Sequence, residues 1–267
     1  MFVVFENSQE IEVYESVTFS RQSNLTIKEM TYPLDITSSK MMKSFYVYVT
    51  DPDNDDGECS ILRISHNGVL TQQWETNGGR GRISSFESSV ILCLNEKHQI
   101  CEYSGDGKFL RTVSLSPALG LKHPLHALKV TSMHFLVSHG VVASDLHRVC
   151  VVDLDGKVVK EFSEWTKVRL INSIEKMNVP ICLAENSDRF IIVAERDNKQ
   201  ILLLNSVLKF KRRLIVSEDD GLKYHPTRLA FDEKGNLFIA ENRFSKKAWQ
   251  SGRISIFSIK NPSEQNN

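Results

Sequence analysis

PICLAENSDRFIIVAERDNKQILLL, residues 180–204, is the stretch from which the fold can be read. Pro180 opens a short apolar run through Leu183, and a polar turn follows. Ile191-Ile192-Val193-Ala194 then ends in Glu195, and after a second polar turn Gln200-Ile201-Leu202-Leu203-Leu204 begins. Short apolar runs with β-branched residues, separated by brief polar turns, read as consecutive antiparallel strands rather than helix. The proline stands at a strand start, where its missing N–H costs least.

Working outward, the middle of that unit recurs along the chain: Val3-Val4-Phe5-Glu6, Tyr48-Val49-Thr50-Asp51, Leu92-Cys93-Leu94-Asn95, Leu136-Val137-Ser138-His139, Val193-Ala194-Glu195 and Ile239-Ala240-Glu241. The last residues, at 6, 51, 95, 139, 195 and 241, are spaced by 45, 44, 44, 56 and 46 positions. Periods near 40 to 45 belong to propeller blades and to some helical repeats. A second β-type run follows each copy: Glu10 to Tyr14, Ser60 to Ile64, Gln99 to Tyr103, Arg148 to Val152, Gln200 to Leu204 and Arg253 to Phe257. Pro33, Pro124, Pro180 and Pro226 open an innermost strand in four copies. Asn67-Gly68, Asp106-Gly107 and Asp155-Gly156 predict type I′ hairpin turns, with positive φ at both central residues, leading into outermost strands over 69–74, 108–113 and 157–162.

The repeat is therefore four antiparallel strands, a to d from inside outward. The expected fold is all-β, a six-bladed β-propeller of four-stranded antiparallel blades forming one domain over residues 1–267. The nearest helix candidate is Val168–Met177, a short insertion that accounts for the 56-residue interval. Copy one starts at strand b and copy six ends after strand c, so the first and last blades are incomplete. The expectation is that the natural chain has further residues upstream of Met1 supplying the missing strands.

The pattern resembles the NHL-repeat β-propeller family in its divergent form, similar to the propellers of TRIM-NHL proteins. The residues that carry the resemblance are Pro180, Ala184, Phe190 to Glu195, Asn198 and Gln200 to Leu203 in one copy. In the last copy they are Pro226, Gly235-Asn236-Leu237-Phe238-Ile239-Ala240-Glu241-Asn242 and Gly252-Arg253-Ile254. Copy three departs from it by lacking the proline. The resemblance implies that the residue ending strand b (Glu6, Asp51, Asn95, His139, Glu195, Glu241) caps backbone amides of the b–c turn. It also implies a non-enzymatic recognition or scaffold role, with protein or peptide ligands and, in some members, single-stranded RNA.

Candidate sites follow from residue type and repeat position. The d–a and b–c loops share one rim, on which lie Arg80, Arg82, Arg196, Tyr224 and His225, and the run Arg243, Phe244, Lys246, Lys247 and Trp249. Cations interleaved with aromatics bind peptides and also stack single-stranded bases. The position two residues after each proline predicts a channel ring of Asp35, His126, Cys182 and Arg228, read as ordinary channel lining because mixed ligands and a competing Arg make a poor metal shell. Asp51, Asp53, Asp55, Asp56 and Glu58 form a carboxylate-dense b–c loop that is either a solvated turn or a calcium site; Leu62 stands where a calcium loop places its bidentate Glu. Inward residue sets for a metal-dependent propeller hydrolase or lyase are not apparent, so no catalytic residue and no cofactor is assigned.

Composition narrows the partners. The chain has 33 Lys and Arg against 33 Asp and Glu, which argues against nucleic acid, whose affinity is dominated by phosphate contacts. DNA and membranes are not expected partners: no apolar stretch approaches the ~18 to 20 residues of a membrane span. Residues 1–10 lack the basic start of a secretory signal, and five cysteines without a C-x-x-C pair suit a reducing compartment, so the expected location is cytoplasmic.

Overall fold

The computed structural model describes residues 1–5, 8–15, 17–41, 44–52, 59–76, 78–116, 121, 123–140, 147–162, 177–216, 222–232, 234–242 and 252–258. The protein is an all-β, six-bladed propeller of antiparallel four-stranded blades, with three strands in the first and last. Blade one is β1 (Phe2–Val4), β2 (Glu10–Tyr14) and β3 (Arg21–Thr26). Blade two is β4 (Asp35–Met41), β5 (Ser44–Pro52), β6 (Cys59–Ser65) and β7 (Leu70–Thr76). Blade three is β8 (Gly81–Phe86), β9 (Ser89–Leu94), β10 (Gln99–Ser104) and β11 (Phe109–Ser114). Blade four is β12 (Pro124–Thr131), β13 (His134–His139), β14 (Arg148–Asp153) and β15 (Val158–Glu161). Blade five is β16 (Pro180–Glu185), β17 (Ile191–Glu195), β18 (Gln200–Leu204) and β19 (Phe210–Val216). Blade six is β20 (His225–Phe231), β21 (Asn236–Asn242) and β22 (Gly252–Ser258). The helix candidate 168–177 lies outside the described residues except for Met177.

The chain forms two compact units, Met1–Val137 with Val152–Lys157, and Ser138–Val151 with Val158–Asn267. In the first, Tyr48, Ile61, Ile83, Val90, Leu92, Leu94, Cys101 and Tyr103 make a buried cluster against which Tyr46 and Trp74 pack. Tyr48, Trp74, Tyr103 and Phe109 form an aromatic ladder with successive centroids 6.3, 6.2 and 5.7 Å apart, within the range where tilted and edge-to-face rings attract. The inner strands are joined by small polar side chains. Ser84 and Ser85 donate to Ala127 O and Ser38 O at 2.7 Å, and Ile83 N–H donates to Asp35 Oδ2 at 2.9 Å. Glu102, buried on β10, accepts from Lys129 Nζ on β12 at 2.6 Å, an ion pair whose loss on one side would strand a buried charge.

In the second unit β17 and β18 are buried along their whole length, with Val193 opposite Leu202. Strands covered on both faces carry continuous apolar runs instead of alternation, which explains why residues 191–194 and 201–204 are so uniform.

The hairpin turns differ from the type I′ expectation. Gly68, Gly107 and Gly156 have φ of 84°, 83° and 75°, but Asn67, Asp106 and Asp155 do not have positive φ. Each is a type I turn followed by a left-handed residue and a bulge. Gly68 N–H donates to Ser65 O, and Ser65 N–H donates to Val69 O, both at 2.9 Å; the register slips between Arg63 and Ile64. The deciding residue lies at the turn's first position, where a side-chain oxygen accepts the amide four residues on: Ser65 from Val69, Ser104 from Lys108, Asp153 from Lys157, Asn205 from Lys209. The a–b turns beginning at Asn186 and Asp232 repeat it. Such local acceptors stabilise type I geometry. Blade five places Leu208 at the left-handed position, φ 59°.

Candidate functional site

In blades two, five and six the residue ending strand b holds the loop that leads into strand a. Asp51 Oδ2 accepts Thr31 N–H at 2.8 Å, and its Oδ1 accepts Tyr32 N–H at 2.5 Å. Glu241 Oε2 accepts Lys223 and Tyr224 N–H, both at 2.8 Å, while its other oxygen takes the Ser255 hydroxyl. Glu195 Oε1 accepts Asn178 N–H at 3.1 Å and Oε2 takes the Gln200 amide. In all three the amides belong to the d–a loop leading into strand a of the same blade, not to the b–c turn that the family resemblance implies. The loop ahead of strand a has unpaired N–H groups that must be satisfied, and the end of strand b is the neighbouring strand's terminus. Glu6 is outside the described residues.

Imidazoles tie the b–c connections of blades three, four and five to the d–a loops that follow them. His98 Nδ1 accepts His123 N–H at 3.2 Å, and His123 Nδ1 bonds Asn95 Oδ1 at 3.2 Å, the two rings standing edge to face at 5.3 Å. His147 Nδ1 accepts Val179 N–H at 3.1 Å. His225 Nδ1 bonds Arg196 O at 2.9 Å. Residues preceding a strand-opening proline are thus the hub of each tie. In the sequence the His-Pro or X-Pro dipeptide marks a strand start, and the hydrogen-bonding role of its first residue shows only in the fold.

Burial sets the electrostatics. Glu195, fully buried, is pushed up to about 7 by desolvation, against the Gln200, Asn178 and Asn198 hydrogen bonds and the Arg213 charge. His139 is pulled down to about 4, chiefly by burial and then by Arg148 and His147. Both its ring nitrogens are buried without a hydrogen-bond partner among the described residues. All five cysteines are buried thiols, and desolvation raises Cys59 to about 11 and Cys150 to about 12, so neither is a nucleophile.

The predicted rim residues are held in different ways. Arg80 is exposed, and Arg82 lies on β8 opposite Cys93. Arg196 Nε pairs with Asp197 Oδ1 at 2.7 Å. Tyr224 is half-buried, with Lys223 Nζ 5.6 Å from its ring centroid, a contact that sequence reasoning did not single out. Arg243, Phe244, Lys246, Lys247 and Trp249 lie outside the described residues.

Of the channel positions, Asp35 and His126 are both buried and meet at one residue: Ile83 N–H donates to Asp35, and the His126 ring bonds the Ile83 backbone. Burial pulls His126 below the ordinary imidazole range while Asp35 pushes the other way. Gly81 is the blade-three counterpart, paired with Leu94 as Asp35 is with Thr50; a Cβ there would lie 2.7 Å from Leu92 Cδ1. Cys182 is buried, its Sγ 3.6 Å from Leu183 O, and Arg228 Nη1 donates to Thr227 O at 2.7 Å. Of the calcium candidates, Asp51 is committed to backbone amides, and Asp53, Asp55, Asp56 and Glu58 lie outside the described residues. Among the described residues no group of three or more His, Cys, Asp or Glu converges as metal ligands would.

Similarity to known proteins is structural. No family model matches the chain, and no curated protein matches it. A protein of unknown function from Bacteroides caccae superposes with TM-score 0.64 at 13% identity, covering 89% of this chain and 81% of that one. The nidogen/laminin complex gives 0.61 at 15%, covering 90% and 85%. Streptogramin B lyase gives 0.55 at 17%, covering 86% and 70%. These similarities establish the β-propeller fold, which hosts both enzymes and binding proteins.

Proposed function

We propose that the protein is a non-enzymatic recognition propeller of NHL-like type, acting in the cytoplasm and binding a protein or peptide through its d–a and b–c loops. The observation that carries this reading is the Glu241 clamp. By fixing the Lys223 and Tyr224 amides it holds an ammonium and an aromatic ring together on a preorganised loop. Rigid aromatic and cationic anchors are the side chains that dominate interface energy, and preorganisation lowers the ordering cost of binding. Among the described residues Asp51, Glu195, His98, His147 and His225 are also bonded to backbone groups, which suits a presenting surface better than a reaction centre. The nidogen/laminin complex offers a precedent for a protein–protein assembly among propeller neighbours.

The test is affinity capture with the wild-type chain, the Lys223→Ala/Tyr224→Ala double variant and Trp249→Ala. Retention of a specific protein by the wild type and its loss in the variants supports the reading; equal retention by all three overturns it. Capture of single-stranded RNA with steep salt dependence would replace it with a nucleic-acid function.

A further inference from the structure

His139 departs from the pattern that its repeat position follows in three other blades. In blades two, five and six the same position holds Asp51, Glu195 or Glu241, each accepting d–a loop amides. Blade three has Asn95, bonded to His123. His139 is only 1% exposed, and among the described residues neither ring nitrogen has a partner. The space around it is tight: the next residue, Gly140, has φ 141°, and a Cβ there would lie 2.4 Å from His147 Nδ1. The titratable and charged groups that act on it are His147, leading into β14, and Arg148 on β14; Glu161 on β15 is turned to Arg148 at 3.3 Å. No carboxylate among these described neighbours is aimed at His139. An imidazolium formed there would be a buried cation beside another cation, with two N–H donors and no acceptor among the described residues.

We propose that blade four is an acid-sensitive latch: proton uptake at His139 frees the end of its strand b and breaks the adjoining His147–Val179 tie, while β17 and β18 of blade five stay closed. The chain of contact is short. His139 escapes the charge by moving toward water, Gly140 moves with it, and His147, packed against Gly140, loses the geometry that receives Val179 N–H. The depressed imidazole value agrees with this order: the neutral form persists through neutrality, and the strain appears as pH falls from about 6.5 toward 4.

The experiment is amide hydrogen exchange on the full chain at pH 7 and pH 5, corrected for the intrinsic rate. Peptides spanning 134–140 and 177–183 should gain roughly tenfold in opening at pH 5 relative to peptides spanning 191–204. His139→Asn, which installs the blade-three residue, should abolish that gain. Persistence of the gain in His139→Asn, or equal opening across all three regions, overturns the proposal. Should the variant fail to fold at pH 7, imidazole NMR of the wild type decides. A His139 resonance neutral until below pH 5 supports the latch, and a midpoint at 6 or above sinks it.

Discussion

Blades four and five are built on one plan, yet they solve two of its positions in opposite ways. At the end of strand b, blade five has a buried acid with its oxygens committed to Asn178 and Gln200, and blade four has a buried imidazole with no hydrogen bond to any described residue. At the left-handed residue of the c–d turn, blade four has Gly156 and blade five has Leu208. The repeat position thus fixes a backbone demand, an acceptor or a positive φ. The residue that meets the demand depends on what the neighbours leave room for.

The largest expected effect tests the turn. A Cβ on Gly156 would lie 2.0 Å from Ser114 O, so Gly156→Ala combines left-handed strain with a backbone clash. It should cost about 3 kcal/mol in chemical denaturation. Gly235, with φ 81° and nothing within 4 Å, isolates the strain alone; Gly235→Ala should cost about 1 kcal/mol. Equal losses would show that the clash relaxes away.

Next in size is the clamp. Glu195→Ala strands the Asn178 amide and the Gln200 side chain and should cost about 2 kcal/mol.

The third comparison is with pH. Glu195 is raised from 4.5 to about 7, so the fold prefers its protonated form: its contribution is fullest below 4.5 and is lost as pH rises toward 7. His139 is lowered from 6.5 to about 4, so its contribution is full above 6.5 and is lost as pH falls toward 4. Between about 4.5 and 6.5 the two slopes oppose each other, each limited to about 1.4 kcal/mol per pH unit. Melting profiles should therefore be flatter for wild type than for either single variant. Glu195→Gln should lose stability on acidification, and His139→Asn should gain it. Two unchanged profiles would show that neither group titrates in this window.

The smallest effect concerns Arg189, held at φ 65° where blade six has Gly235. Arg189→Gly should gain about 0.5 kcal/mol, because relief of strain outweighs the exposed Glu185 ion pair.

Strand positions were legible because residues such as Ile191 to Ala194 are buried on both faces, which writes an unbroken apolar run into the sequence. The turn type was not, because Asn67-Gly68 fits both a type I′ turn and a type I turn with a bulge. Ser65, two residues earlier, settles the matter through a hydrogen bond that apolar patterning does not register. Asp51 looked like a possible ion ligand by its neighbours in sequence, while its partners, Thr31 and Tyr32, lie about twenty residues away and only the fold brings them near. His139 was legible as one of a set of strand-end polar residues, but its lack of any partner is a property of packing alone.

The side-chain acceptors at Ser65, Ser104, Asp153, Asn186, Asn205 and Asp232 have a kinetic consequence. Each closes its loop within five residues, so little chain entropy is lost before the hairpin is held. Hairpins of this kind form in about 1 to 10 microseconds. Much of blades two to six can therefore assemble from contacts close in sequence, so the docking of finished hairpins against one another is expected to be the slower event of folding.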